Sequence, residues 1–436
     1  MRIDIALTSE IDRLEAVVTS PPGREFDLMV PENLERFRRD EMGTPVRNPD
    51  DLLFDDLVLL SAMQEEHARL ADVIRAVTGD DGHFTFRDLL SGSLYAPEVR
   101  SSVVDEVVDL ERRLYRIPAA ELDASREILG SLEATHLAEA LFTGRAPLDS
   151  RRLLRWPMPN ALFARDLAAA AGRAVVISHA AEPARGREMC LARTVFEHHP
   201  FFRGTRRLDV AGGGPAHPGT TIEGGDLQFV DRRVVVVGIG LRTTSEAVRG
   251  LAPLLFDQGF EVVLACEIPR NRGAMHLDTL FTRIDEGRCL VYPPLISNPA
   301  ALGIRVHRMT RDGTSDAGRD LLAALCGAGI DLAPVLCGGA DPVRQAREQW
   351  SDGANAFALA PGIIVCYARN EATLVELNRA GYEVVDPGRF VRNATLYLAE
   401  GRRLAIALTG HELSRGRGGP RCLTLPLRRA SSGGSR

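Results

Sequence analysis

Two spacings of apolar residues divide the chain. Leu57, Leu60, Met63, His67, Leu70 and Val73 recur at steps of three and four, the period of an amphipathic helix, and Gly79 offers its stop. From about 84 to 147 the stretches FRDLLSG, APEVRSSVVDEVVDLERRLY and AAELDASREILGSLEATHLAEALFTG keep that period, with strong helix formers and few strand signals between them. They predict an insert of several short helices, read as a structural cap or interaction surface without chemistry. Before them, Arg2 to Leu7 and Glu15 to Thr19 read as the two arms of a hairpin.

After Pro157 the pattern changes to short apolar runs paired across turns. GRAVVIS at 172–178 is one. DLQFVDRRVVVVGIG (226–240), DTLFTRIDEGRCLVY (278–292) and NAFALAPGIIVCYA (355–368) each hold two β-rich runs separated by turn residues. Helical stretches follow, such as 244–258 and 371–381. A unit of polar loop, hairpin, helix and strand therefore recurs, and each unit carries acidic or Gly-rich residues at its start: RD at 165–166, EGGD at 223–226, HLD at 276–278, SDGAN at 351–355. Units of this kind pack radially, which brings their strand starts to one centre.

Composition adds exclusions. The chain has 436 residues with a formal net charge of −6, so it offers no global basic field for nucleic acid or an anionic membrane. It has no charged-then-apolar leader, and no stretch reaches the ~18 unbroken apolar residues that a spanning helix requires. Seven widely spaced cysteines without a C-x-x-C argue against a disulfide framework or a Cys-rich zinc site. A cytoplasmic protein with no metal and no cofactor is expected.

Candidate chemistry lies at the starts of the repeats. Asp166, Asp226 and Asp278 stand about one repeat apart, and a carboxylate cluster at a shared centre attracts a compact cation. His276 and Asp278, two apart at a strand start, leave the same face, where His suits proton transfer. In HELSRGRGGPRC (411–422), Arg415, Arg417 and Arg421 surround Cys422 with positive charge favouring a thiolate, and Gly416, Gly418 and Gly419 allow unusual backbone conformations. GIG at 238–240 lacks the context of a dinucleotide site, and His198-His199 reads as a solvated surface pair.

These segments together resemble arginine deiminase, within the guanidino-modifying superfamily. The matching stretches are PMPNALFARD (157–166), PARGRE (183–188), IEGGD (222–226), GIGLRTT (238–244), MHLDTLFT (275–282), REQWSDGANAFALAPGIIVCYARN (347–370) and ELSRGRGGPRC (412–422), with LLFDD (52–56) resembling the gating-loop region. The resemblance implies an α/β fold, a five-bladed ββαβ propeller of the pentein kind with a helical insert. Residues 1–82 and 150–428 would form the propeller, 83–149 the insert, and 429–436 a disordered tail.

The resemblance also assigns roles. Cys422 matches the nucleophile, His276 the proton-transfer residue and Glu223 its acidic partner, while Asp166 and Asp278 match carboxylates that grip a guanidinium. Asn160, Arg185 and Arg242 match residues that hold the α-carboxylate of free L-arginine; Phe163, Asp226 and Arg417 match lining or supporting positions. Hydrolysis of L-arginine to citrulline and ammonia through a covalent thiouronium is implied. Another guanidino hydrolase, an amidinotransferase and a non-catalytic guanidino sensor are the alternatives, and a homo-oligomer is compatible with each. Two stretches depart from the family pattern: 26–50, longer than expected, and RNATLYLAEGRRLAIALTG after 391, read as an added hairpin before the Cys422 loop.

Overall fold

The computed structural model describes residues 3–115, 117–210 and 219–430. Among them, five small sheets repeat one pairing pattern: an antiparallel pair, then a helical crossover, then a strand that pairs parallel to the second. The first is Ala168–Ala171, Ala174–Ile177 and Arg206–Leu208. The second is Leu227–Phe229, Val234–Ile239 and Val262–Glu267. Phe281–Asp285, Arg288–Val291 and Ala333–Leu336 form the third. Phe357–Ala360, Ile363–Tyr367 and Leu404–Leu408 form the fourth.

The fifth joins the two ends of the chain. Thr424–Arg429 pairs antiparallel with Leu14–Thr19, which pairs parallel with His83–Thr85. The middle strands are buried on both faces, as in VVVVGI at 234–239, because the crossover helices cover them. Helix Leu60–Thr78 follows the predicted stripe and buries Met63, His67, Leu70 and Val73. Helices Phe86–Ser93, Pro97–Tyr115, Ala119–Ser131 and Ala134–Thr143 occupy the predicted helical stretch. No helix among the described residues is long and apolar enough to cross a membrane.

The ends of the chain and the 386–410 segment depart from the sequence expectations. Leu14–Thr19 takes its antiparallel partner from the far end of the chain; Ala6 bridges Arg428 and Leu7 bridges Gly172, so the expected N-terminal hairpin does not form. The segment before the Cys422 loop is a helix, Pro387–Glu400, followed by a strand of the fourth sheet, not a hairpin. Its start was written locally: Asp386 caps the Arg389 N–H, Pro387 occupies the first turn, and Gly401 closes the helix in the left-handed region. Two residues assigned to the expected tail, Arg429 and Ala430, are ordered against the N-terminal segment. Arg429 is buried opposite Leu14 and donates to the Asp12 carbonyl, while 431–436 lie outside the described residues. His199 is buried rather than solvated and packs edge-on to Phe201.

Where the five sheets begin, hydrogen bonds run from one to the next in a closed ring. The Gly225 N–H donates to Asp166 Oδ1 at 3.2 Å, and the Leu277 N–H donates to Asp226 Oδ1 at 2.9 Å. Asn355 Nδ2 donates to the Asp278 carbonyl, and Asn355 Oδ1 accepts from the N–H groups of Arg421 and Cys422. The Arg165 N–H then donates to the Cys422 carbonyl at 3.0 Å. Each short polar turn thus satisfies its neighbour's buried backbone.

Such close approach leaves no room for side chains at some positions. A Cβ on Gly224 would lie 2.0 Å from the carbonyl oxygen of Arg165, a backbone atom held within the ring. Gly224→Ala is therefore expected to destabilise the protein by about 3 kcal/mol. A clear fall in the urea unfolding midpoint checks this, and an unchanged midpoint contradicts it.

Candidate active site

Turns at the starts of the sheets, not the strands themselves, carry the charged groups. Asp166 ends the single helical turn Ala164–Asp166, and Asp226 ends Gly224–Asp226. His276 caps the turn Leu277–Thr279, which contains Asp278; the strand begins only at Phe281. The expectation that His276 and Asp278 share a strand face is corrected accordingly. His276 turns toward Glu223 and Asp166, whereas Asp278 turns toward Arg421 and Cys422.

One small cavity gathers Cys422, His276, Asp166, Asn160, Phe163, Arg185, Arg242 and Arg417, together with Leu53, Met275, Thr279 and Gly416. Asp278 lies beside it, with Oδ2 3.8 Å from Cys422 Sγ, and Asn355 Nδ2 stands 3.2 Å from the same sulfur. Glu223 and Asp226 are fully buried behind the lining. The structure therefore brings all eleven sequence-predicted residues to one place, in the lining or directly behind it.

His276 Nε2 meets Glu223 Oε2 at 2.9 Å, and its Nδ1 stands 3.8 Å from Asp166 Oδ1. Burial disfavours a charged ring, but Asp166, Glu223 and Asp226 outweigh it and push His276 up to about 10. The stabilisation from that pairing is complete below the ordinary value of 6.5 and is lost as pH rises through about 10, so His276 is a loaded acid at neutrality. Burial likewise opposes Glu223, yet Arg242, His276 and Arg185 hold it well below the carboxylate range. Asp226 goes the other way, pushed up to about 7 because burial dominates.

Arg185 is enclosed by acids. Its Nη1 lies 2.7 Å from Asp166 Oδ2 and 3.4 Å from Glu223 Oε2, and its Nε donates to Glu188 at 2.8 Å. Asp166, Glu223 and His276 are close enough together to hold a metal ion. The Arg185 guanidinium already neutralises both carboxylates, however, and a second cation there meets its repulsion. Arg242 Nη1 reaches Glu223 Oε1 at 3.5 Å, and Asn160 Nδ2 donates to the Leu52 carbonyl at 2.8 Å.

The surroundings of the sulfur correct one expectation. Arg415 pairs with Asp56 and Glu412, Arg417 stacks on Trp350 at 3.5 Å, and Arg421 pairs with Glu10 and Asp278. Arg417 shares the cavity with the sulfur, whereas Arg415 and Arg421 commit their charge to these acids. Burial, reinforced by Asp278, Asp352 and Asp166, raises the Cys422 thiol well above its ordinary value, so the resting state is a thiol. The glycines also work differently: none of Gly416, Gly418 and Gly419 has positive φ, whereas Arg417 does, at 62°. Gly418 and Gly419 are required by close approach, since a Cβ would lie 2.4 Å from Phe163 and 2.5 Å from Asn355.

The cavity measures about 30 Å³, room for a water but not for an arginine side chain. Leu53 and Arg417 line it, and both hold left-handed backbone, which costs a non-glycine residue of order 1–3 kcal/mol. Arg272 ties down Leu53 and Asp55, and Glu66 accepts the N–H groups of His411, Glu412 and Leu413 at the head of the Cys422 loop. Sequence reasoning did not single out Asn355, Glu66 or Glu188 for the site; Asn355 carried a signal through its place in SDGAN and Glu188 through its place in PARGRE, whereas Glu66 carried none.

A family model described as arginine deiminase matches residues 50–429. The arginine deiminase of Mycobacterium marinum (strain ATCC BAA-535 / M) is 34% identical over 443 residues, spanning 98% of this chain and 98% of its own. That of Streptococcus pyogenes serotype M3 is 32% identical over 455 residues, with 98% of each chain covered. Among solved structures, an amidinotransferase from the Microseira wollei saxitoxin biosynthetic pathway is similar with a TM-score of 0.51 and 14% identity over 99% of both chains. That likeness concerns the α/β fold alone.

A thiol resting state is directly measurable. The thiolate ultraviolet band, taken as the difference between the wild type and Cys422→Ala, is expected to grow in only above pH 9 without ligand. A transition near neutrality contradicts the electrostatic reading.

Proposed function

The chain belongs to the arginine deiminase family, and from that premise we propose that it hydrolyses free L-arginine to L-citrulline and ammonia. The observation that carries the proposal is the cavity that joins a cysteine, a protonated histidine and carboxylates to two arginines, Arg185 and Arg242. A guanidinium is a cation at any working pH and a poor electrophile by resonance. Carboxylates suit its N–H groups, and a sulfur nucleophile suits its carbon.

In this reading Asp166 and Asp278 grip the guanidinium, with Asp278 Oδ1 in reserve as a buried acceptor that has no partner. Arg185 is held by Asp166, Glu223 and Glu188, so binding exchanges internal ion pairs for ligand ones: the α-carboxylate takes Arg185 and Arg242 while the ligand's guanidinium takes Asp166. Placing a cation beside the sulfur offsets the carboxylates that hold it as a thiol, and only then does the thiol release its proton to solvent. The substrate thus switches on its own nucleophile.

The Cys422 thiolate adds to the guanidinium carbon, and His276 gives its proton to the departing nitrogen, which leaves as ammonia. A cationic S-alkylthiouronium remains on Cys422. The now neutral His276, oriented by Glu223, takes a proton from water; the hydroxide adds to the same carbon, and collapse breaks the C–S bond while the hydroxyl proton passes to the departing sulfur, which releases the neutral ureido product and restores the thiol. The residues present complete the scheme without a metal or cofactor.

The same reading extends to architecture. The shared pairing pattern and the ring of hydrogen bonds support a five-bladed ββαβ propeller, with 83–149 as a helical insert. Cytoplasmic residence is proposed on the seven free cysteines.

Steady-state assays of ammonia release test the proposal. L-arginine is expected to exceed agmatine, which lacks the carboxylate, by at least roughly a hundredfold in kcat/KM. Cys422→Ser is expected to lose activity by at least roughly a thousandfold. Equal use of agmatine, or an active serine variant, overturns it.

A further inference from the structure

Arg421, immediately before the proposed nucleophile, is among the largest fully buried side chains in the protein. All five of its donors are used. Nε and Nη2 form a two-pronged pair with Glu10, at 3.3 Å to Oε2 and 3.0 Å to Oε1. Nη2 also donates to the Leu227 carbonyl at 2.6 Å, and Nη1 donates to the Gly225 carbonyl at 3.5 Å and to Asp278 Oδ2 at 2.7 Å.

Glu10 is itself fixed from both sides. Its N–H donates to the Phe229 carbonyl at 2.8 Å, and the Phe229 N–H lies 3.4 Å from Oε1. Burial opposes its charge, but Arg421 and Arg165 hold it ionised, down to about 2. The N-terminal segment, the second and third sheets and the Cys422 loop therefore meet at one guanidinium.

Asp278 is the beneficiary. It is fully buried, with Asp226, Asp352 and Cys422 as acidic neighbours and Arg165 as a more distant cation. Arg421 occupies Oδ2 and leaves Oδ1 with no partner. A carboxylate so held keeps one oxygen free to accept from a ligand, and its charge is compensated without a group that occupies that oxygen.

We propose that Glu10 and Arg421 are a positioning pair for the site, holding Asp278 by Oδ2 so that Oδ1 is presented to the guanidinium of the substrate. The proposal rests on the deiminase reading above. Glu10 sets the plane of the Arg421 fork, and the fork sets the plane of the Asp278 carboxylate. A lysine keeps the charge but cannot reach Glu10 and Asp278 with one fixed geometry, so Arg421→Lys separates orientation from charge. Glu10→Gln is a second, gentler probe that leaves Arg421 in place.

Calorimetric binding of L-arginine to full-length protein carrying Cys422→Ala, which cannot turn over, provides the test. Arg421→Lys and Glu10→Gln are each expected to weaken binding roughly tenfold to a hundredfold. With Asp278→Asn also present, adding either change is expected to cost less than about twofold, because the pair acts through the carboxylate already removed. Equal losses with and without Asp278→Asn overturn the proposal in favour of a purely structural role, as does binding indifferent to both substitutions. Where Arg421→Lys fails to fold, the Glu10→Gln cycle decides alone. If the parent Cys422→Ala protein binds no L-arginine, the deiminase reading falls and this proposal falls with it.

Discussion

Compensation of buried charge is the constraint from which the centre of this protein follows. Taking a carboxylate or a guanidinium out of water costs several kcal/mol unless each meets the other with its hydrogen bonds complete. Here Arg421 lies between Glu10 and Asp278, Arg185 among Asp166, Glu188 and Glu223, and Arg242 beside Glu223. The five sheets supply these groups from short turns rather than from strands, because turns can point side chains inward while their N–H groups bond across to the next sheet. Architecture and charge pairing are consequently one problem with one solution.

That solution also explains why the resting site is quiet. The carboxylates that suit a guanidinium also suppress the thiolate, and the small cavity beside them is lined in part by Leu53 and Arg417 on strained backbone. A cationic ligand offsets the negative field at Cys422. Water and unrelated thiol reagents meet a protonated sulfur in a cavity of about 30 Å³.

Much of the site was legible because its residues stand at the same point of a repeating unit. Asp166, Glu223, Asp226, His276 and Asp278 could be found from their positions before β-rich runs, and Cys422 from its glycine-rich loop. What the sequence could not show was which charges meet. Arg415, Arg417 and Arg421 are neighbours of Cys422 along the chain, yet their guanidinium groups find Asp56, Trp350 and Glu10, all distant in sequence. Pairing between the chain's ends was hidden for the same reason: nothing local tells Leu14–Thr19 that its partner is Thr424–Arg429. The helix Pro387–Glu400 did carry local signals in Asp386, Pro387 and Gly401, and these outweighed the β-like run that suggested a hairpin.

The proposed chemistry depends most directly on a bond between Cys422 and the ligand's central carbon. Rapid mixing of the protein with L-arginine, an acid quench during the first turnover and peptide mapping by mass spectrometry detect that bond. An amidino adduct on the Cys422 peptide, rising and then decaying as citrulline accumulates, is the predicted result. Citrulline formed at full rate with no adduct at any time, or with the adduct on another residue, contradicts it.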